Sequence, residues 1–515
     1  MSKNLKDIGI VSVLTVVSRL LGLARDVLLL FFFGTSTLIS AFYAAFTIPN
    51  LFRRLLAEGS LSAAFIPTLQ EEMHANGRRG VFALLTQVSC WLIVVTGALT
   101  IFAIAACSQS RLLPGHAAKW YLTADLTALL FPYLALISLA AAFNATLNVL
   151  DRFTEPALSP IWLNLAMIAA VAGAGLHFAH SRVGEIHWLC AGVLAGGFLQ
   201  MGVPAGVLLA LGWRPAWDLA LSPRVREVAR LMAPGLIGTA IYQVNIAVGR
   251  LLAFMISDAG VTELYSANRL MEFPIGVFAI AVSTVVYPLI ARHAAAGDRG
   301  ALAGDLIKGL RMILMINVPA AVGLAILSQP IVVTLYQHGQ VHPSAAHEIA
   351  VLLAIFSIGL PFFSIVNLTI RAFYAVKDVA TPVRIAAVDF LINLAISLSL
   401  IHWLGVPGLV VASTTAIIVQ TLLFRRALRR RLPEVRIAEL WPSVLKIAAA
   451  AAGMAALLWV CRHEIALLPL RPRIADLLSL VVLIPAGAGF YGATLLLLRI
   501  EGREEFLALL RRRQI

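Results

Sequence analysis

The chain has 515 residues, 60% of them hydrophobic and only 13% charged, with a formal net charge of +14. An ordinary soluble domain carries about 25% charged residues, so this balance excludes a disordered chain, a coiled coil and a soluble enzyme. In a soluble protein the positive excess would point to nucleic acid. In a chain of long apolar runs it reads as basic residues collected on the cytoplasmic side of a membrane, and no nucleic-acid partner is expected.

A membrane-spanning helix needs roughly 20 apolar residues. The chain offers fourteen such runs, at about 8–33, 37–57, 80–107, 121–149, 157–178, 187–211, 227–257, 262–292, 306–328, 346–375, 382–403, 407–428, 442–462 and 474–498. Breaks such as Gly34–Ser36 and Gly405–Pro407 separate neighbouring runs. These runs lack the polar–apolar alternation of a membrane barrel, so the expected fold is an all-α integral membrane protein with about 14 transmembrane helices. The apolar run after the basic start carries Arg19 and Arg25 and lacks a small-residue cleavage site, so no removed leader is expected. Cys90, Cys107, Cys190 and Cys461 lie far apart and read as small apolar residues, not as a disulfide or zinc framework.

With the first end in the cytoplasm, most Lys and Arg fall on cytoplasmic loops. The opposite side holds Arg111, Lys119, Arg182, Arg462, Arg471 and Arg473. This bias predicts a multi-pass protein of the cytoplasmic (inner) membrane with both termini cytoplasmic.

The chain reads as internally duplicated. Ala41-Phe42-Tyr43-Ala44-Ala45 with Pro67 downstream resembles Glu263-Leu264-Tyr265-Ser266-Ala267 with Pro288 downstream. Asp151-Arg152-Phe153-Thr154-Glu155-Pro156 resembles Lys377-Asp378-Val379-Ala380-Thr381-Pro382. The expected organisation is two pseudo-symmetric six-helix lobes, 1–213 and 214–431, leaving a site between them. Residues 432–515 add two C-terminal helices and a basic tail.

Charges inside spans are costly and mark functional positions. In the first span Ser18, Arg19, Gly22, Arg25 and Asp26 fall within about 120° of helical arc, with Gly22 at the centre. Such a stripe faces a bundle interior or a wet cavity. The purely structural alternative is an Arg25–Asp26 pair beside an Arg19 bonded to carbonyls. The second span ends in Arg53 and Arg54, and Glu58, one turn on, can pair with Arg54 as part of a membrane-surface anchor. The eighth carries Asn268, Arg269, Glu272 and Pro274. Arg269 and Glu272 share a face, and Pro274 bends the helix.

Clustered arginines suit a phosphate-bearing anion, because the guanidinium forms planar paired hydrogen bonds. Asp389 and Asn393, one turn apart in an apolar span, form a candidate site for a monovalent cation or a proton. The alternative for Asp389 is an ion pair with an arginine such as Arg250. His338, His342 and His347 lie in a loop and read as solvated, not as a metal site. Gly192–Gly197 reads as a helix-packing stretch, and no phosphate-cradling loop motif is present.

These runs are similar to the signature segments of the MurJ/MviN lipid II flippases. They are Ser18-Arg19-Leu20-Leu21-Gly22-Leu23-Ala24-Arg25-Asp26; Pro49-Asn50-Leu51-Phe52-Arg53-Arg54 with Glu58-Gly59; Arg269-Leu270-Met271-Glu272-Phe273-Pro274; and Phe373-Tyr374 with Lys377-Asp378 and Thr381-Pro382. The resemblance covers essentially the whole chain. It implies the multidrug/oligosaccharidyl-lipid/polysaccharide exporter fold and a transporter, not an enzyme, acting in peptidoglycan biosynthesis and cell shape.

The implied partner is lipid II, the undecaprenyl-pyrophosphate-linked disaccharide peptide, moved from the cytoplasmic to the outer leaflet by alternating access through a cationic central cavity. Cell-wall synthesis machinery is a further partner the resemblance would allow. No cofactor is implied beyond a coupling monovalent cation or proton. The family's cavity arginines map onto Arg19, Arg25, Arg53 and Arg269, with Ser18, Gly22 and Glu272 beside them. Two positions depart from the usual pattern: Ser40 and Asn268 stand where members often carry Asp. Competing readings are an exporter of drugs or of another polyprenyl-linked oligosaccharide, and a polyprenyl-phosphate-using glycosyltransferase. The second would need a convergent acid pair, which the short outer loops do not offer.

Overall fold

The computed structural model describes residues 3–55, 61–109, 117–175, 177, 181–276 and 280–501. Among them are seventeen α-helices: α1 (Lys3–Phe33), α2 (Thr37–Arg53), α3 (Leu61–Gln109), α4 (Ala118–Leu130), α5 (Tyr133–Val149), α6 (Thr154–Ala169), α7 (Arg182–Ala210), α8 (Pro223–Ile256), α9 (Gly260–Pro274), α10 (Ile280–Ala295), α11 (Arg299–Ile326), α12 (Ser328–Tyr336), α13 (Pro343–Ala375), α14 (Ala380–Leu404), α15 (Val406–Arg431), α16 (Trp441–Leu467) and α17 (Pro472–Leu497). Eleven segments of the described residues are long and apolar enough to cross a membrane. The other three expected spans fall on α1, which carries Arg19, Arg25 and Asp26, on the 17-residue α2, and on α9 and α10, of 15 and 16 residues. The eleven carry apolar outward faces, as at Ile101, Phe102, Trp459 and Leu497, which hydrocarbon solvates without cost.

α3 is broken at Gly77, whose φ of 61° and ψ of −155° only glycine adopts without strain. The break separates a short apolar–acidic stretch from the spanning part.

By internal contacts the chain divides into unit 1, Met1–Thr262, and unit 2, Glu263–Ile515. In unit 1, α1 packs on α6, α6 on α7, α5 on α7, and α3 on α5 and α8. Phe65, Leu69, Leu85 and Phe143 form its core, with Trp213 at one edge. The glycines of α7 let the backbones meet. A Cβ on Gly192 would lie 2.5 Å from Ala170 Cβ, and one on Gly197 would lie 2.6 Å from the Tyr133 ring. That close approach brings Tyr133 Oη to Gln200 Oε1 at 3.1 Å, and Gln200 Nε2 donates to the Ser159 carbonyl at 3.0 Å. A buried polar link thus ties α5, α7 and α6.

In unit 2, α11 packs on α13, α14 on α15, and α13 on α15, around Leu306, Leu310, Leu368, Phe373 and Phe424. These pairings repeat those of α3 with α5, α6 with α7, and α5 with α7. α16 and α17 pack on α11 and α12. Met315, Met454, Leu458 and Tyr491 fill that contact, Tyr491 Oη donates to the Met315 carbonyl at 2.9 Å, and Arg462 donates to the Ile326 carbonyl.

The duplicated turns match in detail. Asp151 and Lys377, aligned by the repeat, are both left-handed, with φ of 57° and 60°. The following amides close the same helix end: Arg152 N donates to the Leu147 carbonyl at 2.9 Å, and Asp378 N to the Phe373 carbonyl at 3.0 Å. One helix differs. α8, which the sequence places in the second expected lobe, packs on α3 and α2 and groups with unit 1.

Candidate substrate site

The polar stripe of α1 faces protein. Gly22 and Asp26 are buried, while Val17, Leu20 and Ala24 on the opposite arc are exposed. α6 receives the stripe. Arg25 donates from Nε and Nη2 to Asp26 Oδ1 at 3.0 and 2.6 Å. Its Nη1 reaches Asn164 Oδ1 at 3.0 Å and Met167 Sδ at 3.7 Å. Asn164 Nδ2 donates back to the Ser18 carbonyl at 3.3 Å. The side chains of Arg25 and Asp26 are only 11% and 3% exposed, so this is an ion pair held almost out of water. Removing one member of such a pair costs about 3–5 kcal/mol. The Arg25–Asp26 pair of the structural alternative is present, and Asn164 adds a second partner to the same guanidinium.

Arg19 lies one position from Ser18 and is half-buried. No ion pair of Arg19 is found among the described residues. Arg53, at the end of α2, donates from Nε to Asn50 Oδ1 at 2.7 Å. The Arg54–Glu58 pairing cannot be placed, because Glu58 and Gly59 lie outside the described residues.

In unit 2, Arg269 and Glu272 approach to 4.0 Å with side chains 33% and 39% exposed, a loose pair on one face of α9. Asn268 Nδ2 donates to Glu272 Oε1 at 3.0 Å. An ionised Asp could not donate here and would repel Glu272, so Asn268 has a local physical reason. After Pro274 the helix gives way to a π turn at 275–276. On α14, Asn393 is buried, Asp389 is half-buried, and Ser397 Oγ donates to Asn393 Oδ1 at 3.4 Å. Asp389, Asn393 and Ser397 thus follow one another turn by turn on one face.

Unit 1 therefore brings together Ser18, Gly22 and Arg25, with Arg19 on the same helix, and unit 2 brings together Arg269 with Glu272 and Asp389 with Asn393. Arg250 donates to Thr47 Oγ1 at 2.9 Å. No group of three or more His, Cys, Asp or Glu able to hold a metal ion is found among the described residues, including His338, His342 and His347. All four cysteines are free.

Sequence reasoning passed over three groups. Asn164 and Met167 hold Arg25, and Asn164 was detectable as a polar residue inside an apolar span. Glu263, at the start of α9, is a buried carboxylate, 8% exposed. Its charge within the span was the available signal.

Known proteins share both sequence and fold. The model of the family described as lipid II flippase MurJ matches residues 31–468. The chain is 32% identical to the Haemophilus influenzae protein named "Probable lipid II flippase MurJ", covering 95% of this chain and 98% of that one. It is 30% identical to the lipid II flippase MurJ of Burkholderia cenocepacia, covering 82% and 83%. Among solved structures, a lipid II flippase MurJ in an inward closed conformation superposes with a TM-score of 0.76 at 22% identity, covering 94% of this chain and 98% of that one. An inward-facing multidrug MATE transporter of the MOP superfamily gives 0.68 at 12% identity, covering 81% and 95%; that likeness is one of fold alone.

Proposed function

This chain belongs to the MurJ family of lipid II flippases, and from that premise we propose how its own residues handle the substrate. It is a multi-pass membrane transporter of lipid II, not an enzyme. The substrate passes from the cytoplasmic to the outer leaflet by alternating access in the bacterial inner membrane, with both chain termini cytoplasmic and repeats at 1–213 and 214–431. Residues 432–515 form an added helix pair with a basic tail.

Arg19, Arg25 and Arg53 of the first unit and Arg269 of the second take the pyrophosphate in turn. Ser18 and Gly22 leave room beside the guanidinium groups, and Glu272 orients Arg269. Asp389 and Asn393 take the coupling cation or proton.

The observation that carries this reading is the held charge of Arg25. A buried guanidinium with its fork on Asp26 and Asn164 is oriented before any substrate arrives. A pyrophosphate competes for that fork with the same planar paired geometry. Each charge-assisted hydrogen bond contributes about 1.5–3 kcal/mol, so exchange of Asp26 for phosphate is close to balanced and reversible, as a transporter requires.

The test is complementation of a flippase-depleted strain, together with lipid II movement in proteoliposomes, by the Arg19, Arg25, Arg53 and Arg269 alanine variants. Each is expected to reach the membrane, Arg25→Ala as the least stable of the four, and to fail to support growth, with Lys rescuing in part. Full growth with all four alanine variants would reject the arginine assignment.

A further inference from the structure

The connector between α7 and α8, residues 211–222, joins the two sequence repeats. A passive tether would need only length, yet here side chains on one face of α3 clasp the connector along its course. Trp213 is 6% exposed, packs on the Phe143 ring at 5.2 Å and donates from Nε1 to Thr86 Oγ1 at 3.0 Å. Cys90 Sγ donates to the Ala216 carbonyl and accepts from Asp218 N, both at 3.4 Å. Gln87 uses both ends of its amide: Nε2 donates to Asp218 Oδ2 at 2.9 Å, and Oε1 accepts from Ser222 Oγ at 2.8 Å. Ser222 Oγ also caps α8 by accepting from Val225 N at 3.3 Å. Just beyond, Arg224 binds Glu72 at 3.0 Å, Glu71 at 2.6 Å and Glu227 at 2.8 Å.

The other end of α8 is held differently. Lys119 Nζ donates to the Phe254 carbonyl at 2.8 Å and to Asp258 Oδ1 at 2.9 Å, over the Phe254 ring at 5.1 Å. Asp258 is 65% exposed, so water replaces its part of the contact at little cost. Releasing the connector would instead take the buried Trp213 Nε1–H from its acceptor Thr86 and the half-buried Gln87 amide and the buried Cys90 thiol from their connector partners.

We propose that the connector is a clasped strap that makes the first end of α8 a fixed pivot on α3, and that Lys119 is the releasable latch at its far end. The proposal rests on the alternating-access reading above. α8 has 34 residues, a lever of about 50 Å at 1.5 Å per residue. A rotation of about 5° at the pivot therefore carries the far end by about 4 Å, enough to part a hydrogen bond.

Two measurements on the full chain in lipid bilayers decide it. In hydrogen exchange, the 214–222 segment is expected to be protected and to exchange at least tenfold faster in Gln87→Leu, with residues 257–259 fast in both proteins. Equal exchange of 214–222 in the two proteins overturns the strap. For the second, Cys90→Ser keeps the donor and acceptor at that position while Cys107, Cys190 and Cys461 become Ala. In this background, Lys119→Cys/Asp258→Cys and Gln87→Cys/Ser222→Cys are each joined by a short cleavable dithiol reagent.

Closing the latch pair is expected to slow lipid II movement in proteoliposomes at least tenfold, reversibly on cleavage. Closing the strap pair is expected to change it less than twofold. The opposite pattern, or an equal effect of both links, overturns the proposal. The cysteine-replaced parent reports separately on transport: lack of lipid II movement there counts against the function reading, while the exchange experiment still decides the strap.

Discussion

Ser40 Oγ lies 2.8 Å from Thr262 Oγ1, and both residues are 0% exposed. The two immediately precede the duplicated motifs beginning at Ala41 and Glu263, so equivalent positions of the two repeats hydrogen-bond each other. Ser40 stands where the family often carries Asp. A hydroxyl here satisfies Thr262 without placing a charge in the core. Ser40→Ala or Thr262→Val alone is expected to cost about 1–3 kcal/mol by leaving one hydroxyl unpaired, and the double variant less than the sum. Thermal unfolding of the four proteins checks this; strictly additive losses would show that the hydroxyls do not depend on each other.

Arg25→Ala leaves the Asp26 carboxylate, 3% exposed, without its buried cation and is expected to destabilise by about 3–5 kcal/mol. Adding Asp26→Asn should recover most of that stability but none of the lipid II movement. Stability and transport measured on the same preparations separate the two roles. Recovery of transport in the double variant would mean that Arg25 serves only to neutralise Asp26.

Two glycines of α7 should respond oppositely to alanine. A Cβ on Gly197 meets the Tyr133 ring at 2.6 Å, whereas one on Gly206 meets nothing within 4 Å. Gly197→Ala is expected to destabilise by about 1–3 kcal/mol through overpacking. Gly206→Ala should be neutral or stabilising by up to about 1 kcal/mol through helix propensity. Midpoints of unfolding in one detergent compare them directly.

Asp378, in the turn before α14, accepts from Thr381 N at 3.0 Å and from Thr381 Oγ1 at 2.7 Å. Burial pushes its carboxyl up, but the Thr381 bonds and the neighbouring Arg431 and Arg384 outweigh this and hold it below the usual range. The folded form therefore favours the ionised carboxylate. Its stabilisation is fully present above the ordinary Asp value of about 3.9 and is lost as the pH falls through the lower folded value. The unfolding temperatures of the natural chain and of Asp378→Asn are expected to differ by a constant amount from neutral pH down to the ordinary Asp range, and to converge below it. A gap that closes already near neutrality would contradict the assignment.

Asp389→Asn tests the coupling proposal. Lipid II is expected still to bind, while its movement loses dependence on the cation or proton gradient. Gradient-dependent movement unchanged from the natural chain would remove Asp389 from that role.

Apolar run length and turn residues determined the spans, because hydrocarbon demands an internally bonded helix of a set length whatever its neighbours are. Helical periodicity likewise determined that Ser18, Arg19, Gly22, Arg25 and Asp26 share one arc, and the repeated motif at Asp151 and Lys377 marked one helix end twice. All of these are local properties, set within a few residues along the chain. Only the tertiary structure decided that Arg25 is held by Asn164, that Ser40 meets Thr262, and that α8 is strapped to α3 through Gln87 and Cys90. Those partners lie more than a hundred residues apart. Helical spacing says which face a side chain takes, but which helix covers that face depends on how close the backbones can come, and glycines such as Gly192 and Gly197 set that distance only once their neighbours are in place.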